Sequence, residues 1–358
     1  MLLYPVYAVL FTDTGLSAAE ISSLFLIWSV TSFALEIPSG LWADVFSRRR
    51  LLMIAPVLAA TGYALWTFLP CYPSFALGFV LWGAASALRS GTLQALVYEE
   101  LVRLGAAAAY GRLIGRAQAI SMTAIMAASG LAAPVLAAGG YRAVGILSVG
   151  VTLLGIPLAW SFPESRGRSG ERAETFATVF RGGLAEVRRS SMVSRSLALA
   201  AVLMGIGALD EYIPLLARST GVAPPAVPLL VLLVSAGAMV GGWFAGRGAR
   251  CVAPALAVAA GCLAAGALNG RPAGLVLVAV AFGIFQWAMV AAETLLQDHL
   301  ADQARATVIS MAGFGSEVVA VLTFAGYALG SVWAGPGALF ACAAVPYLIV
   351  ALVLWRTT

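Results

Sequence analysis

The sequence GLWADVFSRRR, residues 40–50, connects two long apolar segments and decides the fold class of this chain. Three consecutive arginines end it, directly before hydrophobic sequence resumes at residue 51. Arginine and lysine collect in the cytoplasmic loops of membrane proteins, so this cluster indicates a turn at the cytoplasmic face. The flanking segments, 21–43 and 51–69, are long enough to cross a bilayer as helices, which takes about 20 residues.

The composition is that of a polytopic membrane protein. Of the 358 residues, 61% are hydrophobic and 10% are charged, whereas soluble domains carry about 25% charged residues. A soluble enzyme, a disordered chain and a nucleic-acid-binding protein are therefore excluded. The four cysteines are scattered without the spacing of metal ligands, so we expect neither a metal nor a cofactor.

Twelve apolar segments run through the chain. They predict an all-α membrane protein with twelve transmembrane helices in two six-helix bundles. The segments are 1–11, 21–43, 51–69, 74–97, 113–136, 143–162, 197–217, 226–246, 251–268, 274–297, 307–329 and 337–355. As a helix, the first rises only about 17 Å, against a hydrocarbon core of about 30 Å. We therefore expect the natural start upstream of Met1, with a short or tilted first helix as the alternative.

The placement of arginine predicts the orientation of the chain. All 21 basic residues are arginines. With the N-terminus inside, seventeen of them fall on the cytoplasmic side, while Arg142, Arg218 and Arg271 fall outside. Arg89 alone lies deep inside a predicted span, whereas Arg116 lies at the cytoplasmic edge of one. We therefore expect a multi-pass protein of the plasma membrane with both termini in the cytoplasm.

A polar stretch and three repeated sequence motifs predict the domain organisation. Residues 164–196 separate an N-terminal bundle, 1–163, from a C-terminal bundle, 197–358. Apolar residues recur at helical spacing within the polar stretch, which predicts an amphipathic helix on the cytoplasmic face. Three motifs of the first half return in order in the second, which indicates a duplicated six-helix unit. They are GLWADVFSR and GWFAGRGAR, YEEL and QDHL, and RAQAISM and RATVISM.

The 40–50 loop resembles the signature loop of the major facilitator superfamily. Gly40, Ala43, Asp44 and the arginines at 48–50 match that pattern, with Ser47 where the pattern has glycine. The stretches ALVYEEL and GRAQAISM are most similar to the drug-efflux proton antiporters of the superfamily. The resemblance implies a substrate cavity between two bundles that rock about a site near the membrane midplane, which gives alternating access.

The resemblance also implies a cytoplasmic gate at this loop. The carboxylate of Asp44 would cap the positive N-terminal end of span eleven near Arg305 and hold the cytoplasmic side closed. The arginines at 48–50 would pair with acidic residues at the end of span four. We expect the following residues to form the gate: Gly40, Asp44, Arg48, Arg49, Arg50, Glu99, Glu100 and Arg305.

Ionisable residues inside the spans are candidates for proton coupling or substrate binding, because charges in hydrocarbon are costly. They are Glu36, Arg89, Asp210, Glu211 and Glu317. Equal depth in neighbouring helices predicts an ion pair of Glu36 with Arg89, either a coupling element or a static contact. Glu317, near the midplane, would bind a proton or a cationic substrate, or stay protonated between helices. Asp210 and Glu211 would face the outer mouth of the cavity or hydrogen-bond there, beside a helix break at Pro214.

Other residues within the spans have structural interpretations. Small residues are expected at places of close helix packing: Gly237, Gly241, Gly313 and Gly315. Aromatic residues inside the spans could line a cavity, with packing or lipid contact as the more ordinary role: Tyr7, Trp28, Tyr63, Trp287 and Tyr327.

Together these observations predict a secondary active transporter that exports amphipathic small molecules in exchange for protons. Proton-coupled uptake of a metabolite is the first alternative, and a non-transporting receptor or scaffold is a remote one. An enzyme is not expected, because the sequence holds one histidine and no Ser/His/Asp set. The expected partners are the small-molecule substrate, protons and the lipid bilayer, with no nucleic acid, and the chain is expected to be monomeric.

Overall fold

The computed structural model describes residues 1–163, 191–244, 251–298 and 302–357. Secondary structure in these ranges is entirely helical, which confirms the all-α class. Most of the predicted amphipathic segment, 164–196, lies outside the described residues. The α-helices are α1 (Tyr7–Asp13), α2 (Ala18–Val45), α3 (Arg48–Phe68), α4 (Tyr72–Arg103), α5 (Tyr110–Leu153), α6 (Gly155–Trp160), α7 (Ser191–Ile206), α8 (Ile213–Ser219), α9 (Val227–Trp243), α10 (Val252–Leu268), α11 (Gly274–Asp298), α12 (Asp302–Gly330) and α13 (Pro336–Thr357).

The helices belong to two compact units. The first holds α1 to α6 together with residues 224–229. The second holds α7, α8 and α10 to α13, with α9 from Leu230 onward. The boundaries predicted from the sequence, 1–163, 164–196 and 197–358, stay predictions.

Eight stretches of the described residues are long and apolar enough to cross a membrane. They are Ala18–Glu36, Arg48–Phe68, Ala107–Trp160, Leu197–Ser219, Pro224–Trp243, Gly274–Thr294, Met311–Gly330 and Pro336–Trp355. The third is 54 residues long and covers the predicted span 113–136 and most of 143–162, while α10 is a shorter apolar helix. A multi-pass helical protein is therefore confirmed, whereas the count of twelve spans is not.

Two serines fix where α2 and α3 begin. The hydroxyl of Ser17 accepts a hydrogen bond from the N–H of Glu20, whose carboxylate accepts one from the N–H of Ser17 at 2.8 Å. This reciprocal capping box satisfies two otherwise unpaired donors. Ser47 starts α3 by accepting a bond from the N–H of Arg50 at 3.3 Å. Only Phe46 and Ser47, both in extended conformation, separate the two helices.

Aromatic rings form the core of the first unit. Tyr7, Phe11, Phe25, Trp66 and Phe79 are all buried. The rings of Trp66 and Phe79 lie 4.6 Å apart between centroids, and the ring of Phe11 meets that of Trp66 edge-on at 5.4 Å. Each such aromatic pair contributes about 0.5–1.5 kcal/mol beyond the area it buries. Tyr7 therefore has a packing role, which the sequence left open.

A glycine interrupts the long helix α5. Gly140 has φ 61° and ψ −167°, a conformation that glycine adopts without the steric penalty of a Cβ. The interruption falls between the predicted spans 113–136 and 143–162, so the two spans are joined without a loop. Beside it, the hydroxyl of Tyr141 donates a 2.6 Å hydrogen bond to the carboxylate of Asp13, which ties α5 to the end of α1.

In the second unit, the predicted span 197–217 is a broken helix. The α-helix α7 ends at Ile206, a 3₁₀ segment follows over Gly207–Tyr212, and α8 begins at Ile213. The break predicted at Pro214 is present but precedes the proline, which lies in the first turn of α8. Proline is tolerated there because the first turn has no intrahelical partner for its missing N–H.

Candidate functional site

A cavity of about 560 Å³ lies within the first unit. It is enclosed by α3, α4, the end of α5 and α6, with Met1 at its edge. Most of its wall is apolar, from residues such as Leu52, Ala55, Pro56, Ala59, Ala85, Leu93, Leu154, Leu158 and Phe162. Polar groups come from Tyr63, Trp82, Ser86, Arg89 and Thr152. A mainly apolar cavity with a few polar groups is the usual form of a small-molecule site.

Helical periodicity explains how α3 and α4 form two walls. On α4, Trp82, Ser86, Arg89 and Leu93 follow one another at intervals of three or four residues, which places them on one face. Leu52, Ala55, Ala59 and Tyr63 repeat the same spacing on α3. The alanines in these rows leave the space that larger side chains would fill.

Close contacts hold the walls together. A Cβ on Gly62 of α3 would lie 2.8 Å from the carbonyl oxygen of Gly78 on α4. A Cβ on Gly155 would lie 3.1 Å from the ring of Pro56, so α6 packs directly against α3. Pro56 and Gly155 also line the cavity, so this contact forms part of its wall.

Arg89 is exposed and lines the cavity, and it does not pair with Glu36. Among the ion pairs of the described residues, none joins these two side chains, so the predicted ion pair is absent from this structure. The reason is rotation about the helix axis. Helices α2 and α4 meet where Gly83 approaches Thr31 and Ser32, and six residues later Arg89 has turned about 120° away from that face. Arg89 therefore faces α3, and a coupling role for Glu36, which is exposed, stays a prediction.

Tyr63 and Trp82 complete the polar part of the wall. Tyr63 is 3% exposed and lies close enough to Arg89 for the positive charge to act on its hydroxyl. The indole of Trp82 stacks on that of Trp28, with ring centroids 5.5 Å apart. The buried Nε1 of Trp28 has no hydrogen-bond partner among the described residues. Of the aromatic residues singled out in the sequence, Tyr63 thus lines a cavity.

Part of the predicted gate is formed by α3 and α4. Nη1 of Arg48 lies 2.6 Å from Oε2 of Glu99, so one of the arginines at 48–50 meets an acidic residue at the end of α4. Glu100 binds Arg103 on its own helix at 2.8 Å, and the guanidinium of Arg49 lies over the ring of Trp160 at 5.4 Å. A role for these contacts in gating stays a prediction.

The predicted contacts of Gly40, Asp44 and Arg305 lie outside the described side chains. Arg50 is exposed in the first turn of α3.

In the second unit, the broken helix carries the two acidic residues of its span. Asp210 is exposed on the 3₁₀ segment, and Glu211 is half-buried beside it. Asp210 lies close enough to Tyr347 of α13 for its carboxylate to act on the tyrosine hydroxyl. The ring of Tyr347 stacks on that of Phe285 at 3.6 Å. Neither Tyr347 nor Phe285 was singled out in the sequence, because a single aromatic residue in a span is most often a packing residue.

Glu317 lies where α7 and α12 approach each other. It is half-buried and next to Ser316, whose carbonyl oxygen would lie 2.5 Å from a Cβ on Gly205. Within the described ranges, no three His, Cys, Asp or Glu side chains come together as metal ligands would.

A family comparison identifies the chain. A model described as Major Facilitator Superfamily matches residues 1–268. The chain belongs to the Major Facilitator Superfamily. Members of the superfamily are transporters that sit in the lipid bilayer and handle small-molecule substrates, often with protons, so the chain is a transporter and not an enzyme. The drug-efflux subtype suggested by ALVYEEL and GRAQAISM is not decided by this match.

Solved structures share the Major Facilitator fold. The chain superposes on the nucleoside transporter NupG with a TM-score of 0.73 and 10% identity, covering 99% of this chain and 94% of that one. For a bacterial homologue of the human lysosomal transporter Spinster, the TM-score is 0.68 at 16% identity, covering 98% and 91%. For a D-xylose–proton symporter, it is 0.64 at 17% identity, covering 98% and 91%. None of the curated proteins compared with the chain matches it.

Proposed function

We propose that this Major Facilitator transporter exports amphipathic small molecules in exchange for protons by alternating access. The cavity beside Arg89 carries the proposal, because its largely apolar wall with a few polar groups suits an amphipathic solute. The likeness of ALVYEEL and GRAQAISM to drug-efflux antiporters supports export over uptake.

Proton coupling is proposed for four carboxylates inside the spans, and Glu293, near the end of its span, is not among them. Glu36 and Asp210 are exposed, and Asp210 belongs to a 3₁₀ segment, a common feature of functional hinges. Glu211 and Glu317 are half-buried in the second unit. A carboxylate that is hydrated in one conformation and desolvated in the other changes its affinity for a proton, which couples protonation to the conformational change.

The cytoplasmic gate is proposed at the α2–α3 connection. The Arg48–Glu99 ion pair supports it, because the pair joins the start of α3 to the end of α4 beside this connection. Asp44, Gly40 and Arg305 are proposed to complete the gate through the N-terminal end of α12, with Arg49, Arg50 and Glu100 around them. Contacts of this kind bias a conformational equilibrium without locking it.

The arrangement in the membrane forms part of the same proposal. We propose twelve spans in two six-helix bundles, 1–163 and 197–358, linked by 164–196. The arginine distribution supports cytoplasmic termini. We propose a monomer in the plasma membrane.

Everted membrane vesicles test the direction of transport. The lumen of such vesicles corresponds to the cell exterior, so an acidic lumen should drive a fluorescent amphipathic dye into it if the protein is an exporter. Glu36→Gln and Glu317→Gln should remove the pH-driven part of this accumulation at equal protein levels. Glu20→Gln is the matched control, because glutamine preserves the capping box at the start of α2.

Two other results would contradict proton-coupled export. Depletion of a preloaded dye by an acidic lumen would indicate proton-coupled uptake. Absence of any flux above protein-free vesicles, across dyes of both charges, would favour a receptor or scaffold.

A further inference from the structure

Arg89 gives the cavity of the first unit a positive charge with no counter-charge in the wall. It is the single basic residue that the sequence places deep inside a predicted span. Among the residues that line the cavity there is no aspartate and no glutamate. In the ion pairs and hydrogen bonds between described side chains, Arg89 has no partner. A charge inside a membrane protein is normally paired or faces a water-filled cavity, and a group that pairs with the Arg89 guanidinium must be an anion.

Hydroxyl groups beside Arg89 add neutral donors. Ser86 lies one helical turn before Arg89 on the same face of α4, and Tyr63 faces them from α3. The hydroxyl of Thr152 already donates to the carbonyl oxygen of Ser148 at 2.7 Å, so it can only accept another bond. Arg89, Ser86 and Tyr63 therefore offer donors to a carboxylate or a group of similar geometry.

The rest of the cavity suits an apolar body. The indole of Trp82 lies on the wall, in the row that ends with Arg89 and Leu93, and small alanines line α3 opposite it. The volume of about 560 Å³ is within the range of pockets that hold drug-sized ligands. A cation would be repelled by Arg89, and a neutral solute would leave its charge uncompensated.

We propose that this cavity binds organic anions, with the acidic head on Arg89 and an aromatic body against Trp82. The proposal rests on the proposed transport function, whose substrate class it specifies.

Matched naphthalene probes test the charge preference. The full chain is purified and reconstituted in phosphatidylcholine nanodiscs, without a pH gradient, and titrated by calorimetry. The probes are 2-naphthoate, 2-naphthamide and 2-naphthylmethylammonium, which share a body and differ in charge. We expect 2-naphthoate to bind more tightly than the other two by about tenfold or more, as for a charge-assisted hydrogen bond. Equal affinity for the three probes would overturn the proposal.

Variants test the charge of Arg89 and the volume of the cavity separately. Arg89→Gln should weaken 2-naphthoate binding by about 10- to 100-fold and leave 2-naphthamide unchanged, while Arg89→Lys should restore part of the loss. Ala59→Phe should block all three probes by filling the cavity, which keeps the proposal testable if Arg89→Gln does not fold. Arg142→Gln is the control, because Arg142 contacts the ring of Phe68 and not the cavity. Unchanged 2-naphthoate binding by folded Arg89→Gln would refute the site.

An anionic lipid has the same head-group chemistry as a soluble anion, so a second lipid composition distinguishes the two sources. Adding phosphatidylglycerol to the nanodiscs should leave 2-naphthoate binding intact. Loss of binding would assign the cavity to lipid and overturn a soluble substrate. Binding is measured without transport, so tight binding combined with no flux would contradict the proposed function alone.

Discussion

Arg48 and Glu99 tie the beginning of α3 to the end of α4, with 2.6 Å between Nη1 and Oε2. Their side chains are 15% and 28% exposed, so water screens the pair only in part. The neighbouring pair of Arg103 and Glu100 spans three residues of one helix, and its arginine is 61% exposed. Two ion pairs of similar length therefore differ in what they connect and in how well water screens them.

We expect a double-mutant cycle of Arg48→Ala and Glu99→Ala to give a coupling energy of about 1 kcal/mol, near the upper limit for exposed pairs. The Arg103→Ala and Glu100→Ala cycle should give about 0.2–0.5 kcal/mol, as for other pairs within one helix. Unfolding of the purified protein in detergent measures both. Equal coupling energies in the two cycles would show that the Arg48–Glu99 pair is no stronger than an exposed pair within one helix.

The same variants should also differ in their transport rates. If the Arg48–Glu99 pair belongs to the gate, its loss changes the transport rate at equal stability, whereas loss of Arg103 does not. The charge exchange Arg48→Glu with Glu99→Arg should restore part of the rate. Flux in everted vesicles measures this, and equal rates for all variants would remove the pair from the gate.

Close packing of α9 on α11 should make Gly241 intolerant of any side chain. A Cβ on Gly283 would lie 2.7 Å from the carbonyl oxygen of Gly237, and a Cβ on Gly241 would collide with the backbone of Gly283. Gly241→Val should therefore cost about 1–3 kcal/mol, the usual penalty of overpacking, and lower the melting temperature.

Gly261 is the matched control for that prediction. It lies within α10, and no atom lies within 4 Å of a Cβ placed there. Gly261→Ala should be neutral or stabilising by up to about 1 kcal/mol, because alanine is the better helix former. A larger loss of stability from Gly261→Ala than from Gly241→Val would show that the contact is not tight.

Cysteine labelling should report the orientation. Cys71 is exposed between α3 and α4, on the side that we expect to face outward, and Cys251 is exposed at the start of α10, on the side that we expect to face the cytoplasm. A hydrogen bond with the Ser74 hydroxyl at 3.2 Å lowers the pKa of the Cys71 thiol. An impermeant maleimide added to intact cells should therefore label Cys71, and label Cys251 only after permeabilisation.

The pH dependence of labelling follows from the same hydrogen bond. The thiolate is the reactive form, so a lowered pKa increases the reactive fraction at neutral pH. Ser74→Ala should move the rate profile of Cys71 to higher pH and slow the reaction at neutral pH. Labelling of Cys251 on intact cells, with Cys71 protected, would reverse the orientation.

Asp210 should be needed for proton coupling. Asp210→Asn keeps the size of the side chain but removes its titration, so pH-driven accumulation in everted vesicles should fall to the level seen without a gradient. Glu293→Gln is the control, because Glu293 is half-buried near the end of the apolar part of α11 and belongs to no proposed site. An intact pH-driven signal in Asp210→Asn would exclude this carboxylate from coupling.

Sequence reasoning succeeded where the position of a residue along its helix decides the outcome. The arginines that follow Ser47 must lie at a helix start, and the apolar flanks bring Glu99 to the same end of the unit, so the Arg48–Glu99 pair was predictable. Gly237 and Gly241 were likewise recognised as packing residues, whereas Gly313 has open space around it and Gly315 contacts only Ala201 among the described residues. Spacing identifies small residues on one face but not the helix that approaches that face.

The sequence does not show how each helix is rotated about its own axis relative to its neighbours. Depth along a span follows from counting residues, and that count predicts similar depths for Glu36 and Arg89. The directions in which the two side chains point depend on where α2 contacts α4. That contact, at Gly83, arises only when the helices of the unit pack together. The cavity was missed for the same reason, because Ala55, Ala59 and Ser86 carry no signal until α3 and α4 are placed side by side.

The short connection between α2 and α3 has a mechanical consequence. Two extended residues span at most about 7 Å, so Phe46 and Ser47 leave almost no slack between the helices. An axial shift of α2 is therefore transmitted to the first turn of α3, where Arg48 begins. Because Arg48 is bound to Glu99, the shift must either carry α4 along or break the ion pair. Helices α2 and α3 are thus coupled mechanically, so that a displacement of α2 changes the position of Arg48 and the strain on its ion pair with Glu99.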